Sequence, residues 1–376
     1  MAIRHVPSRT PAFRRYSPYI SYLLRLWRWS WRLCVGASLF AFLSACAQPL
    51  VSADNAPRAL IVTVQDSQAT EAFRTRSDII GAMVACALTN LTGKPTVPEA
   101  WRSLISTQSV AALDREVVGI KVYSLPGGIS GTRPAVVAAV IEGLLGAGLP
   151  PSHIIVWDRQ LTDLRLAGYS ELAAKYGIRL AGSAEAGYDE NAFYDNPLLG
   201  NLVWGDLEFG HKGEGVARKS YFSKLVSQEI TRIINITPLL NQNLAGVSGN
   251  LYSLAMGSVD NILRFEADAD RLATAVPEIY AKTNLSDRVV LNITDALICQ
   301  YEGGERGLLH YSRTLNELRF SKDPVALDCL SIKELVELRK AAGAPLVKPN
   351  LELYTNAALL ELGVNDLRRI RVQKVP

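Results

Sequence analysis

Lys121 stands inside an otherwise apolar run, residues 117–122, VVGIKV. A charge buried in a strand costs several kcal/mol unless it is paired. Two carboxylates stand at comparable places, Asp158 after the apolar residues 154–157 and Asp295 after 289–294. A lysine and two carboxylates on one rim could move protons or stabilise developing charge. Asp158 and Asp295 could instead share a divalent cation, because hard oxygen ligands suit Mg or Ca. Ser130, Thr132 and Arg133 in a glycine-rich loop, and Arg159 beside Asp158, would hold the anionic part of a ligand. The amides Asn235, Asn241, Asn243 and Asn250 cannot act as acid or base, but they can orient a polar ligand or cap a helix. Asp328, inside a helix and away from the cap position Asp323, completes the set of candidates. Each has a plainer reading as well: a structural ion pair for Lys121, a helix cap for Asp158.

These residues need a scaffold that brings strand ends together. Residues 117–159 read as strand, glycine loop, buried helix and strand. Pro126, Gly127, Gly128 and Gly131 break the first apolar run. Thr132 is expected to cap the helix, with Pro134 in its first turn. Such a βαβ unit is parallel and right-handed, which puts residues 124–132 at the carboxyl edge of the sheet, facing the free N–H groups of a helix start. Further apolar strands are expected at 59–64, 178–181, 231–236 and 288–294, with helices at 70–92, 162–176, 266–282, 324–342 and 355–362. Residues 237–261 read as a polar loop running into a helix. Residues 183–224 lack period and hold Gly, Asn, Asp and aromatics, including His211 in a glycine-rich stretch, so they read as an insertion over the sheet edge. The expected fold is α/β, a mostly parallel sheet with helices on both faces, in one large domain over 59–376.

The first 53 residues have a separate role. They carry seven arginines and no acid, then an apolar run at 33–43 and Leu43-Ser44-Ala45-Cys46. This is the pattern of an export signal, with a run too short to span a bilayer. Cys46 fits the lipidation site of a bacterial lipoprotein, which would leave 1–45 as signal and 46–58 as a tether at a membrane surface. Cleavage after Ala53, giving a soluble periplasmic protein, and an uncleaved anchor at 25–42 are the alternatives. The whole chain holds 40 basic and 36 acidic residues; without the seven signal arginines the balance is 33 against 36, or −3. With no basic cluster among aromatics in the mature part, nucleic-acid binding is excluded. Cys86, Cys299 and Cys329 are scattered, without the spacing of an Fe–S site, so no intrinsic cluster is expected. Neither HExxH, GxSxG nor a Walker loop occurs, so zinc-protease, serine-hydrolase and triphosphatase readings lose support. The sequence does not set an oligomeric state.

Several segments in order resemble the family called domain of unknown function 362: GIKVY (119–123), 132–148, IIVWDR (154–159), LRLAGY (164–169), 232–261, VVLNITDAL (289–297), DPVALD (323–328) and 356–372. The resemblance covers about 59–372. It implies an α/β domain, often exported, and no settled activity. Some relatives carry ferredoxin-like modules, for which this chain lacks the cysteines. Relatives also tend to show a lysine and a histidine in the 237–243 loop, where this chain has Asn241 and Asn243. Two function classes follow: an envelope enzyme acting on a small polar or anionic substrate, and a non-catalytic ligand-binding or interaction protein of the envelope.

Overall fold

The computed structural model describes residues 59–106, 113, 115–200, 218–344 and 350–375. The export segment, the tether with Cys46, and residues 201–217 of the insertion with His211 lie outside the described residues. Nine strands form the main sheet: β1 (Ala59–Gln65), β2 (Val118–Val122), β3 (Ile154–Asp158), β4 (Arg179–Gly182), β5 (Arg232–Gln242), β6 (Gly246–Val247), β7 (Val289–Gln300), β8 (Ser312–Ser321) and β9 (Ile370–Val375). Their order is β9-β1-β8-β7-β5-β2-β3-β4, with the short β6 folded back on β5. Along that path only β8 runs against its neighbours. The sheet is thus mostly parallel, as the alternation of strands and helices predicts.

The central strands are buried on both faces, which is why they read as near-continuous apolar runs. Ile120, Val122, Val156, Ile234 and Ile293 face the helices Ser77–Thr92, Val97–Ile105 and Pro134–Gly146. Tyr123, Ile155, Trp157 and Ile233 face Asn250–Ser258, Ala269–Tyr280 and Glu352–Leu359. The helix Pro324–Ala342 packs mainly on this second side and is capped by Asp323, whose carboxylate accepts from Ala326 N at 2.8 Å.

Several expected boundaries move. Residues 70–75 form a short hairpin, so the first helix begins at Ser77. The expected 162–176 helix is two, Leu161–Leu166 and Tyr169–Tyr176, because Gly168 between them takes φ +91°. The strand expected to end at 236 continues to Gln242, where it turns back to pair with β6. Residues 237–242 are therefore strand, held by pairing with β7 at Thr237 and Pro238. The strand expected to end before Asp295 runs to Gln300, with an irregularity between Ala296 and Ile298. The described part of the insertion includes an antiparallel strand pair, Tyr188–Asp195 with Lys219–Ser223. No helix among the described residues is long and apolar enough to cross a membrane.

Candidate functional site

Lys121, Asn235 and Asn292 are direct register partners across β2, β5 and β7, so their side chains share one face. All three are fully buried. The helix Asn250–Ser258 lies over this polar row and is itself buried at every residue. Asn235 Nδ2 donates to the Asn250 carbonyl at 2.9 Å. The Lys121 ammonium donates to Ser253 Oγ at 3.1 Å, to Asp158 Oδ1 at 2.8 Å and to the Val122 carbonyl at 2.7 Å. It also lies 5.6 Å from the centre of the Trp157 ring. Burial pushes the Lys121 pKa down, and Asp158 opposes that shift by charge and hydrogen bond. Helix and lysine meet only because position 257 is glycine: a Cβ there would stand 2.4 Å from Lys121 Cε.

Asp158 faces the other way as well. Its Oδ2 accepts from Ser124 N at 2.7 Å and Ser124 Oγ at 2.6 Å. It forms the floor of a cleft of about 110 Å³ at the carboxyl edge of the sheet, with Arg159, Tyr123, Tyr252, Ser253, Glu266 and Glu305 on its walls. Leu125, Tyr252, Glu266 and Glu305 also line a wider trough of about 590 Å³ that reaches Asn243 and Arg306. The tyrosines meet edge to face at 6.5 Å. Tyr123 donates its hydroxyl to Glu305 Oε1 at 2.5 Å. Tyr252 OH lies 2.8 Å from Glu266 Oε1 and 3.3 Å from Glu305 Oε1, so one phenol bridges two carboxylates. Burial raises the Glu266 pKa, with Glu305 adding to the shift and Tyr252 and Arg159 opposing it. Burial likewise pushes both phenols well above their ordinary range.

The other expected residues sit elsewhere. Asp295 is fully buried and, by strand alternation, on the face opposite Asn292. It pairs with Arg133 Nη1 at 3.0 Å and accepts from Arg133 N at 3.1 Å. A carboxylate of the protein thus stands at the helix start expected to face the anionic part of a ligand. Other donors of the 124–132 loop are also engaged: Gly127 N, Gly131 N and Thr132 N all reach carbonyls of the same loop or strand end. Thr132 is not the helix cap. The cap position is Arg133, and Thr132 Oγ1 instead accepts from Tyr123 N at 3.0 Å and donates to the Ile236 carbonyl at 2.8 Å, tying the loop to β5. Ser130 donates to Gln300 Oε1. Gln300 in turn donates to the carbonyls of Glu302, Gly304 and Arg306, so this pair shapes the loop that carries Glu305. Asn241 is buried and donates to Asn243 at 2.9 Å, and the exposed Asn243 lines the trough. Asp328 reaches across from its own helix to cap Asn250–Ser258, accepting from Asn250 N at 2.7 Å and Leu251 N at 2.9 Å. Asn250 Nδ2 adds a third bond to it at 3.0 Å.

Lys121, Asp158 and Arg159 are therefore the expected residues found at or directly beneath the cleft, and Asn243 lines the trough. Asp158 and Asp295 are each engaged by a separate cation, Lys121 and Arg133. Among the described residues no group of three or more His, Cys, Asp or Glu is arranged to hold a metal ion. Sequence reasoning missed Tyr252, Ser253, Glu266 and Glu305. Glu305 lies in the EGGERG turn, whose glycines mark a tight loop. Glu266 carries no local signal, since only tertiary packing turns it toward the cleft.

Fold and site together define an α/β protein with a polar cleft at the carboxyl edge of a mostly parallel sheet. The chain belongs to the family described as domain of unknown function (DUF362), whose model matches residues 118–333. None of the curated proteins is similar to it at a significant level. The chain is similar to a Thermotoga maritima protein of known crystal structure, with 11% identity and a TM-score of 0.38, over 72% of this chain and 60% of that one.

Burial pushes the Asp328 carboxyl up to about 7 from 3.8, against the backbone N–H groups that favour its ionised form. The folded state then keeps a proton that the unfolded chain has lost. Stability from this group is fully present below about pH 4 and is lost as pH rises through about 7. Urea denaturation from pH 5 to 8 is expected to show wild type losing up to about 1.4 kcal/mol per pH unit relative to Asp328→Asn. Parallel pH profiles for the two proteins would refute the assignment.

Proposed function

We propose that the chain is an envelope enzyme that performs acid–base chemistry on a small polar substrate in the cleft. The observation that carries this reading is the single Tyr252 hydroxyl placed between Glu266 and Glu305. Glu266, held toward its protonated form by burial, would donate a proton. Glu305, which accepts from Tyr123 and lies within reach of Tyr252, would take one. Lys121 is fully buried and does not line the cleft. Its role would be electrostatic, reaching the substrate through Asp158 and Ser253. Asp158, Asp163, Glu266 and Glu305 outnumber Arg159 on the walls, which favours a neutral polar substrate over an anionic one.

A second reading has its own support. All three Lys121 donor bonds end on acceptors within the protein, as in a purely structural ion pair. On that reading the cleft binds a polar ligand without turning it over.

Mass spectrometry of small molecules that co-purify with the protein, followed by incubation of each with fresh protein, separates the two. The enzyme reading expects conversion, reduced about a hundredfold or more in Glu266→Gln and Glu305→Gln, each still folded. A ligand recovered unchanged supports the binding reading. If nothing co-purifies and a library of polar compounds leaves the melting temperature unmoved, both fail. We further propose anchoring at a bacterial membrane through lipidated Cys46, on the strength of the signal pattern. Cys46→Ser is then expected to move the protein out of the membrane fraction, and an unchanged distribution would rule the anchor out.

A further inference from the structure

Far from the cleft, Lys374, Thr63 and Arg319 stand in one register row across β9, β1 and β8. Direct register partners share a face of the sheet. The helix Pro324–Ala342 crosses this face and turns Lys333, Glu334 and Glu337 toward the row, at the spacing that puts residues on one helix side. Between row and helix lies a cavity of about 160 Å³, none of whose lining residues lines the cleft.

Two of its polar side chains are 3% exposed and carry atoms without a partner, the Thr63 hydroxyl and Arg319 Nη1. The rest of the guanidinium is in use. Nε and Nη2 meet Glu317 Oε2 at 3.1 and 2.7 Å, and Nη2 also pairs with Glu334. Burying such donors without acceptors is costly, so a molecule that accepts from both gains binding free energy. Nη1 can only donate, so the ligand must bring acceptor oxygens there. The lining holds three cations (Arg319, Lys333 and Lys374) and three carboxylates (Glu317, Glu334 and Glu337). That balance disfavours a multiply charged anion and matches a molecule carrying one charge of each sign. Glu337 meets Lys333 only at 4.0 Å, which leaves it suited to an ammonium. The volume is several times the roughly 30 Å³ share of a water.

We propose that this cavity binds a small free α-amino acid. Its carboxylate accepts from Thr63 and Arg319 Nη1 beside Lys374, and its ammonium faces Glu337. The site stands independently of the activity proposed for the cleft.

Calorimetric titration of the full chain with alanine and glycine tests the proposal, with acetate, methylamine and inorganic phosphate as comparison probes. Alanine or glycine is expected to bind at least tenfold more tightly than acetate or methylamine. Thr63→Val, which keeps the side-chain shape, is expected to weaken alanine binding about tenfold, the worth of one hydrogen bond. Lys374→Ala, at an exposed strand position, should weaken it too while leaving the melting temperature in place. No binding of either amino acid, or equal binding by wild type and Thr63→Val, would overturn the site. Phosphate or acetate binding as tightly as alanine would overturn its assignment to a zwitterion.

Discussion

A buried ammonium must be fully paired, and the carboxyl edge of this sheet is built around that requirement. Lys121 spends its three donors on Val122, Asp158 and Ser253. To supply Ser253, the helix Asn250–Ser258 must lie close against the sheet, and Gly257 permits the approach. The same helix then presents Tyr252 to the cleft, one residue before the serine that binds the lysine. Asp158, fixed by Lys121 and Ser124, becomes the cleft floor. Removing one charge from such a pair leaves the other buried and unpaired, which costs more than the pair contributes.

Three carboxylates along this region satisfy backbone donors that would otherwise await a ligand. Asp158 takes Ser124 N, Asp295 takes Arg133 N before the 134–146 helix, and Asp328 takes Asn250 N and Leu251 N. Helix starts leave backbone N–H groups in need of acceptors, and at Arg133 and Asn250 the protein supplies them from within. In the glycine loop, Ser124 N, Gly127 N, Gly131 N and Thr132 N likewise end on acceptors of the protein itself. On the enzyme reading proposed above, the acid–base roles fall to Glu266 and Glu305, the cleft carboxylates whose partners are phenols. Ser130 and Gln300 support this arrangement from behind by holding the loop of Glu305.

The α/β architecture was legible because buried parallel strands leave continuous apolar runs, as at 118–122 and 154–158. Lys121 stood out for the same reason, as a charge where the pattern allows none. The ends of β5 and β7 were not legible. Polar Thr237 and Asp295 look like strand exits, yet both are buried within strands. A polar side chain inside a sheet reads as a boundary unless its partner is known, and those partners come from distant elements. Asp295 shows this clearly: strand alternation sends it to the face opposite Asn292, where Arg133 waits. Glu266 opens an expected helix and Glu305 sits in a glycine-rich turn, and nothing local aims either at the cleft, so only the folded chain shows that they share Tyr252.

The dependence of the edge on the Lys121–Asp158 pair is tested most directly by a double-mutant cycle in urea denaturation. Lys121→Met and Asp158→Asn should each lose about 3–5 kcal/mol, since each strands a buried group. The double variant should lose clearly less than the two losses together. Losses that simply add would contradict the pairing as the organising interaction of this site.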